Sequence, residues 1–363
     1  MSNAQKQQKP PAEVIYADEL KRLREQDDGP RPKGWTLSPR LVRAFILGDS
    51  TLGCERKFVG NPSLVDRAMV ALATNRGLIL VGEPGTAKSL LSELICAAIC
   101  GDSTLTIQGG AATTEDQIKY SWNYALLLAE GPSTKSLVAA PLYRGMKEGK
   151  VVRFEEITRC PQEVQDCLLS MLSDRVMAIP ELEGGDGMLF AKEGFNLIAT
   201  ANTRDRGVNE MSAALKRRLN FETVFPIPDF QTELRLVQRQ TAKLLAEAGV
   251  PSVPSPDLLD VLVTTFRELR TGETTDGQSM EKLSTVMSTA EAVSVGFSMG
   301  VKGYFMGSGE ATAEDLVECI AGAAVKDDPE DMKRLRRYIE QRVSKRKGGA
   351  WKAMYKARTK LPG

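Results

Sequence analysis

The chain has 363 residues, of which 42% are hydrophobic and 26% charged, and its 48 Lys and Arg against 47 Asp and Glu give a net charge of +1. These values are typical of a globular protein with a substantial core in about two domains, and they exclude a polycation that coats nucleic acid. Histidine is absent, which excludes Ser-His-Asp triads, Cys-His dyads, histidine-bound zinc and imidazole pH switches.

The cysteine pattern and the hydropathy pattern indicate a cellular compartment. The six cysteines form no CxxC pair, so we expect reduced core thiols rather than a disulfide framework or a metal knuckle. No apolar run approaches ~20 residues, and the chain does not open with a secretory signal. We therefore expect a cytoplasmic protein without a membrane span.

The N-terminal part, residues 1–34, is predicted to be disordered or partly helical. Residues 1–12 are rich in Gln, Lys and Pro, and Ser2-Asn3-Ala4 is interpreted as an expression scar. Residues 13–26 favour a helix that ends at Asp28-Gly29-Pro30. Ser38-Pro39 then predicts an N-cap and a first-turn proline for a helix through Leu47.

Residues 35–228 have an α/β pattern. A helical pattern at 89–100 and other helical segments separate short apolar runs that predict five strands, at 78–81, 105–108, 151–154, 195–200 and 223–227. Strands that alternate with helices predict a parallel five-stranded sheet with helices on both faces. The predicted fold class is α/β.

After residue 228 the strand pattern stops, and residues 229–345 predict a small all-helical lid domain with breaks at 251–256, 272–277 and 300–309. A basic tail at 346–363 ends the chain. Residues 333–360 contain twelve Lys or Arg against one acid, Glu340, which leaves a net charge of −10 on the rest. We interpret the tail as a solvated helix with a disordered end, or as a segment that contacts the acidic body of a neighbouring subunit. A third alternative stays open, in which the basic residues bind nucleic-acid phosphates while Trp351 and Tyr355 stack on bases.

A phosphate-binding loop is predicted at residues 82–89, Gly82-Glu83-Pro84-Gly85-Thr86-Ala87-Lys88-Ser89. It follows a strand and opens a helix, so backbone N–H groups and the helix N-terminus can hold phosphate oxygens. We expect Lys88 to reach the β- and γ-phosphates and the Ser89 hydroxyl to bind Mg²⁺. Ala87 stands where the general pattern has glycine. With this loop, the predicted fold class is a P-loop NTPase α/β core.

An acidic pair, Glu155-Glu156, ends the strand that begins at Val151. In such sites the first acid holds Mg²⁺ and the second polarises the attacking water, so Glu155 is assigned to the metal and Glu156 to general base catalysis. Because most such sites have Asp first, the extra methylene of Glu155 should shift its carboxylate outward by ~1.5 Å.

Together these motifs resemble those of AAA+ ATPases, and in particular of the MoxR branch of the helix-2-insert clade. The phosphate loop GEPGTAKS and Ala140-Pro141-Leu142-Tyr143 are similar to segments of that branch. The resemblance covers residues 58–230 and, more loosely, continues to 325. It implies a helix-2 insert beginning near Glu115 and a pre-sensor-1 hairpin with its tip at Glu181–Gly187.

The resemblance also implies further site residues. Asn202 matches sensor 1, and Arg218 the arginine finger that one subunit supplies to the next, with Arg217 as the open alternative. The family's "S-x-R-A" sensor 2 motif at the start of a lid helix has no arginine here, and Lys282 is the nearest substitute. The residues assigned to ATP are Val59, Gly60, Glu83, Pro84, Gly85, Thr86, Ala87, Lys88, Ser89, Leu90 and Lys282.

The resemblance implies an ATP-driven, chaperone-like motor that acts as a homo-oligomeric ring, which we expect to be a hexamer. Such motors use ATP and Mg²⁺ to remodel, mature or activate a client protein complex, often with a partner that contains a von Willebrand factor A domain. Two alternatives stay open: a nucleic-acid-stimulated motor, because of the basic tail, and a slow nucleotide-gated scaffold, because of Glu155 and the missing sensor 2 arginine.

Overall fold

The computed structural model describes residues 8–203, 209–326 and 328–362. These residues divide into two compact units. The first runs to Gly82 and over Ala87–Val224, and the second takes in Phe225 onward together with Glu83–Thr86. The predicted expression scar, Ser2-Asn3-Ala4, and most of the N-terminal stretch expected to be disordered lie outside the described residues.

The first unit contains strands and helices in alternation, as the sequence predicts. Its strands are β1 Gly77–Gly82, β2 Thr106–Gln108, β3 Tyr120–Trp122, β4 Leu137–Ala139, β5 Val151–Glu155, β6 Val176–Ala178, β7 Met188–Phe190, β8 Asn196–Asn202 and β9 Leu219–Thr223. Its helices are α1 Ala12–Ile15, α2 Ala17–Glu25, α3 Pro39–Leu47, α4 Pro62–Leu72, α5 Lys88–Cys100, α6 Glu115–Ile118, α7 Tyr124–Glu130, α8 Pro141–Glu148, α9 Gln162–Asp166, α10 Leu169–Ser173 and α11 Ala213–Lys216.

Among the described residues, five strands form a parallel sheet in the order β2-β5-β8-β1-β9. Successive β1 residues face opposite sides, so Leu78 and Leu80 pack in one apolar cluster while Ile79 packs in another. Both faces are therefore buried, and the predicted α/β fold class is confirmed. The β6–β7 hairpin, whose loop includes Glu181–Gly187, lies where the pre-sensor-1 hairpin was expected.

The fifth strand was predicted at 223–227 but is found at Leu219–Thr223, paired in register from Gly77↔Leu219 to Val81↔Thr223. The hydropathy pattern did not indicate this strand because it contains the polar residues Asn220 and Glu222. Glu222 is 9% exposed because Arg67 on α4 binds its two carboxylate oxygens at 2.8 and 2.7 Å. The other four predicted strands are confirmed with small shifts of their ends.

The N-terminal segment packs into the first unit instead of lying outside it. The single helix predicted at 13–26 is divided at Tyr16, whose ring contacts Phe45 edge to face at 5.6 Å. The Glu13 carboxylate accepts hydrogen bonds from the backbone N–H and hydroxyl of Ser103, at 3.1 and 2.7 Å. The Ala12 N–H donates to Glu93 on α5 at 3.0 Å. Tertiary packing thus orders residues that composition alone would leave disordered.

The second unit is helical in its described part, with an apolar core. Its helices are α12 Phe230–Glu247, α13 Pro256–Thr271, α14 Thr289–Met306, α15 Ala313–Ala324, α16 Glu330–Gln341 and α17 Gly349–Lys356. The break predicted at 300–309 is wrong in its first half, because α14 continues through Gly300. A Cβ at Gly300 would lie 2.7 Å from Leu245 on α12, so this glycine permits close helix packing.

The basic tail belongs to this helical core. Met354 on α17 is fully buried, and Ala357 and Leu361 are buried beside it. The disordered end predicted for residues 346–363 is therefore replaced by a packed helix and a short 3₁₀ turn at Ala357–Lys360. Hydropathy missed this packing because the apolar residues are separated by lysines and arginines.

Asp331 ties the segment before α14 to α16. Its buried carboxylate accepts hydrogen bonds from the backbone N–H and hydroxyl of Ser284, at 2.9 and 2.6 Å, and pairs with Arg334 at 2.7 Å. Burial alone would raise the pKa of Asp331, but these bonds lower it from 3.8 to about 2. The ionised form therefore stabilises the fold.

We expect Asp331→Asn to lower the free energy of unfolding by about 2 kcal/mol at neutral pH. Because the folded-state pKa is depressed, the stabilisation is present above pH 3.8 and is lost as pH falls through about 2. Denaturant unfolding of both proteins across this range measures the difference, with exposed Asp186→Asn as the control. An unchanged difference between pH 4 and pH 2 would contradict the linkage.

Candidate functional site

The predicted phosphate loop joins β1 to α5 in the expected strand–loop–helix arrangement. Gly85 and Ala87 have left-handed backbone, with φ of 74° and 67°. Ala87 adopts the left-handed conformation that glycine would favour, although this backbone conformation costs a non-glycine residue roughly 1 kcal/mol. Backbone of this kind turns N–H groups toward a common concavity that suits anions.

Lys88 is the first residue of α5 and is 7% exposed. Its Nζ donates to the Gly82 carbonyl at 3.1 Å, which holds the ammonium near the carboxyl end of β1. A nearly buried ammonium at a helix N-terminus is suited to an anion. Glu83–Thr86 form the loop between these residues, in which the Thr86 hydroxyl donates to the Glu83 carbonyl at 2.9 Å. Leu90, in the first turn of α5, is 41% exposed.

The two residues predicted to bind metal lie in contact. The Ser89 hydroxyl donates to Oε2 of Glu155 at 2.7 Å, so the longer Glu155 side chain reaches the serine directly. The buried carboxylate also accepts hydrogen bonds from Ser92 and Thr200, both at 2.8 Å. Burial raises the pKa of Glu155. The hydrogen bonds from these hydroxyls and the charge of Arg153 lower it by more, so the net pKa lies below its usual range. An ionised carboxylate beside a hydroxyl fits the oxygen ligands that Mg²⁺ requires.

Arg153 is a site residue that the sequence reasoning missed. It is 9% exposed, and its guanidinium donates to Glu155 Oε1 at 2.8 Å and to the Ser89 carbonyl at 3.0 Å. It also donates to Ser92 Oγ at 3.0 Å and to the Ser103 carbonyl at 3.1 Å. Arg153 thus joins β5 to the first turns of α5. A charged residue inside the apolar run Val151–Phe154 was the available signal, because a buried charge requires a partner.

We expect Arg153→Met to lower the free energy of unfolding by about 3 kcal/mol, because Glu155 would remain as a buried, unpaired charge. The double variant Arg153→Met/Glu155→Gln should lose less than the sum of the two single variants. Denaturant unfolding of the four proteins measures this coupling. Strict additivity would show that the pair does not interact.

The predicted base, Glu156, follows β5 in left-handed backbone, with φ of 55°. Its N–H donates to Thr200 Oγ1 at 2.9 Å, and the same hydroxyl donates to Glu155, so Thr200 links the two acids. Asn202 Nδ2 lies 3.5 Å from Glu156 Oε1, and Arg159 pairs with Oε2 at 2.7 Å. The predicted base and sensor 1 are therefore neighbours at the carboxyl edge of the sheet, with the base partly open to solvent.

Arg217 and Arg218 precede β9, at the amino ends of the strands. The phosphate loop follows the opposite end of β1, about 17 Å away along five strand residues. Arg218 is half-buried and donates to the Ser173 hydroxyl and to the Ala214 carbonyl, the latter at 2.7 Å. Arg217 is exposed, and its side chain bonds to no residue within the described part of the chain. Both therefore lie at the edge of the sheet opposite their own chain's phosphate loop.

Two other regions were predicted to contact the nucleotide, the segment with Val59 and Gly60 and the residue Lys282. Arg56 donates to the carbonyls of Phe58 and Gly60, at 3.0 and 3.3 Å, which orders the segment that contains Val59. Lys282 is exposed and lies in a loop of the second unit, seven residues before α14 begins at Thr289. The sensor 2 motif belongs at a helix start, where the chain here has Ser288-Thr289-Ala290. Lys282 is therefore not at the predicted helix start.

Burial raises the pKa of three cysteine thiols. The pKa is about 11 for Cys54 and about 12 for Cys167, and that of Cys96 lies well above its usual range. All six cysteines are free thiols. Thiolate chemistry therefore has no support at Cys54, Cys96 or Cys167.

Comparison with known proteins decides the family. Residues 77–219 match the family described as "AAA domain (dynein-related subfamily)", and residues 231–362 match "YehL-like AAA+ ATPase C-terminal domain". The chain is 62% identical to YehL of Escherichia coli (strain K12) over 356 residues, which cover 98% of each protein. The chain belongs to the YehL-like AAA+ ATPases.

More distant similarities fit this family. The chain is 25% identical to YojN of Bacillus subtilis (strain 168) over 51% of this YehL-like protein and 58% of YojN. A crystal structure of NtrX from Brucella abortus in complex with ATP has a TM-score of 0.51 and 14% identity, over 79% of this chain and 62% of NtrX. That likeness shows the fold. Among the described residues, no helix is both long and apolar enough to cross a membrane.

Proposed function

We propose that this YehL-like protein binds and hydrolyses ATP with Mg²⁺ at the site formed by Lys88, Ser89, Glu155, Glu156 and Asn202. The observation that carries the proposal is the edge of the sheet where Ser89 touches Glu155 at 2.7 Å and Asn202 approaches Glu156 at 3.5 Å. In parallel α/β sheets, ligands bind outside the carboxyl ends of the strands.

The chain's own residues would act in separate roles. Lys88 and the loop backbone bind phosphate oxygens, and Ser89 with Glu155 would hold Mg²⁺, which offsets phosphate charge when bound. Glu156 takes a proton from water, and the Asn202 amide orients that water. Arg159 pairs with Glu156 Oε2 at 2.7 Å and orients the carboxylate at this edge of the sheet. The Thr200 hydroxyl holds the Glu155 carboxylate and the backbone of Glu156 at this edge of the sheet.

We further propose a homo-oligomeric ring of the MoxR type, hexameric as the resemblance implies, that remodels, matures or activates a client protein complex. Its support is the position of Arg217 and Arg218 at the edge of the sheet away from their own loop, which suits catalysis for a neighbouring subunit. A partner with a von Willebrand factor A domain is part of the same proposal.

Phosphate release by the full chain tests the activity. We expect turnover per protein to rise with protein concentration, because each site needs its neighbour, and to be lost in Lys88→Ala. Lys33→Ala, which removes an exposed lysine, is the matched control. Turnover that is unchanged in Lys88→Ala, or independent of concentration, would contradict the proposal.

One observation favours the slow nucleotide-gated scaffold as a second candidate. Ala290 stands at the helix start where the sensor 2 arginine is expected, and Lys282 lies outside the helix. A single-turnover experiment at saturating protein separates the candidates. Hydrolysis within seconds supports the motor, whereas ATP that stays bound and intact for many minutes supports the scaffold.

A further inference from the structure

The second unit contains a cavity of about 360 Å³ whose lining is mostly polar and charged. Its wall is formed by the loop that follows α13 and by the basic segment between α16 and α17. The charged and aromatic lining residues are Asp276, Arg342, Lys345, Arg346, Lys347 and Trp351. This is the part of the chain whose basic composition the ATP site does not explain.

The two arginines of the wall are fixed by neighbours. Arg346 pairs with buried Glu268, donates to the Thr275 hydroxyl at 3.3 Å, and stacks 4.2 Å from the Trp351 ring centroid. Arg342 donates to the Gln278 side chain and, at 3.0 Å, to the Ser279 carbonyl. Guanidinium groups held in this way lose little conformational entropy when they bind an anion.

The two lysines of the wall have exposed ammonium groups that can bind a ligand. Lys345 and Lys347 are exposed, and their side chains form no hydrogen bond or ion pair with any residue that the structure describes. The four cations face the carboxylates of Asp276 and Glu268, the latter already bound to Arg346 and to Tyr338 at 2.7 Å. The cavity wall thus keeps an excess of two positive charges.

The size and charge of the cavity define its ligand. Small-molecule sites begin at about 300 Å³, so the cavity suits a compact ligand better than an extended polymer. A compact ligand must carry several negative charges to balance the two excess positive charges. A single carboxylate carries only one. We propose that the cavity binds an oligophosphate, either free or as the phosphate chain of a nucleotide, through Arg342, Lys345, Arg346 and Lys347.

Titration with inorganic tripolyphosphate tests the proposal. The full-length Lys88→Ala protein is the parent, so that the loop after β1 does not compete for the probe. We expect saturable binding that weakens about tenfold or more in Lys345→Gln/Lys347→Gln, because each removed contact is a charge-assisted hydrogen bond. The control is Lys352→Gln/Lys356→Gln, which removes the same charge from α17, at two lysines that do not line the cavity. Thermal unfolding confirms that the variants remain folded.

Two further probes complete the experiment. If the parent binds ATP with an affinity similar to that for tripolyphosphate, the site is assigned to nucleotide phosphates. If it binds tripolyphosphate but not ATP, the site is assigned to free oligophosphates. Both results support the proposal. Absence of saturable binding, or equal weakening in both double variants, would overturn it. Tighter binding of a single-stranded DNA oligonucleotide than of tripolyphosphate, with the same loss in Lys345→Gln/Lys347→Gln, would overturn it in favour of a nucleic-acid surface.

Discussion

Replacing Arg218 by alanine is expected to lower ATP turnover about a thousandfold or more while ATP binding is retained. An arginine that neutralises charge on the transferred phosphoryl group contributes that much to the rate. Arg218 is the stronger candidate because Ser173 and the Ala214 carbonyl hold its guanidinium in one orientation. Phosphate release and nucleotide binding, measured on the same preparation, separate the two effects.

Exposed Arg217→Ala is the matched control and should retain most of the turnover. Complementation tests whether the arginine acts on a neighbouring subunit. Lys88→Ala and Arg218→Ala proteins should each be inactive alone, and a mixture should regain activity at interfaces that combine an intact loop with an intact arginine. If Arg217→Ala is the inactive variant, the finger is Arg217; if mixing restores nothing, the arginine does not act between subunits.

Replacing Glu156 by glutamine is expected to reduce turnover about a hundredfold or more, because the side chain can no longer accept a proton from water. ATP affinity should change little, since Ser89, Glu155 and Lys88 are intact. The variant should therefore accumulate in its ATP-bound state and keep its client attached. Rapid-quench hydrolysis and affinity purification in ATP measure the two consequences.

Glu163→Gln, an exposed carboxylate on α9, is the control for the loss of one charge. It should hydrolyse ATP at the rate of the unmodified chain and release the same proteins. Full turnover in Glu156→Gln would remove this residue from the mechanism. Loss of ATP binding would instead place Glu156 among the residues that hold the nucleotide.

The sequence predicted the parts of the fold that depend on local pattern. The strand–loop–helix around Lys88 has an uninterrupted apolar run and a glycine-rich turn, and the strand before Glu155 is apolar except for Arg153, so both positions were predictable. The strand Leu219–Thr223 was misplaced because its polar Glu222 is buried by an ion pair with Arg67, a partner 155 residues away. The packing of the C-terminal helix was missed for a similar reason, because Met354 is buried by distant helices.

Motif positions in the sequence proposed residues for the candidate site, but they gave little of its geometry. Ser89 and Glu155 were assigned to one metal from motif position, and the structure brings them into contact. Arg153 and Thr200 were not assigned, because their importance arises from contacts between α5, β5 and β8 that exist only after the sheet has formed. The position of Lys282 could not be settled from spacing, since the helix start depends on the Ser288 cap.

The bonds from Glu13 to Ser103 and from Ala12 to Glu93 have a practical consequence for handling the protein. Trimming the chain to begin at Trp35 would remove both bonds and uncover the apolar surface that Leu20 and Leu23 now seal. Such a fragment should be prone to aggregation even though every motif of the proposed ATP site is still present. Purification tags and partner fusions therefore belong ahead of Ala12, so that the bonds made by Ala12 and Glu13 are kept.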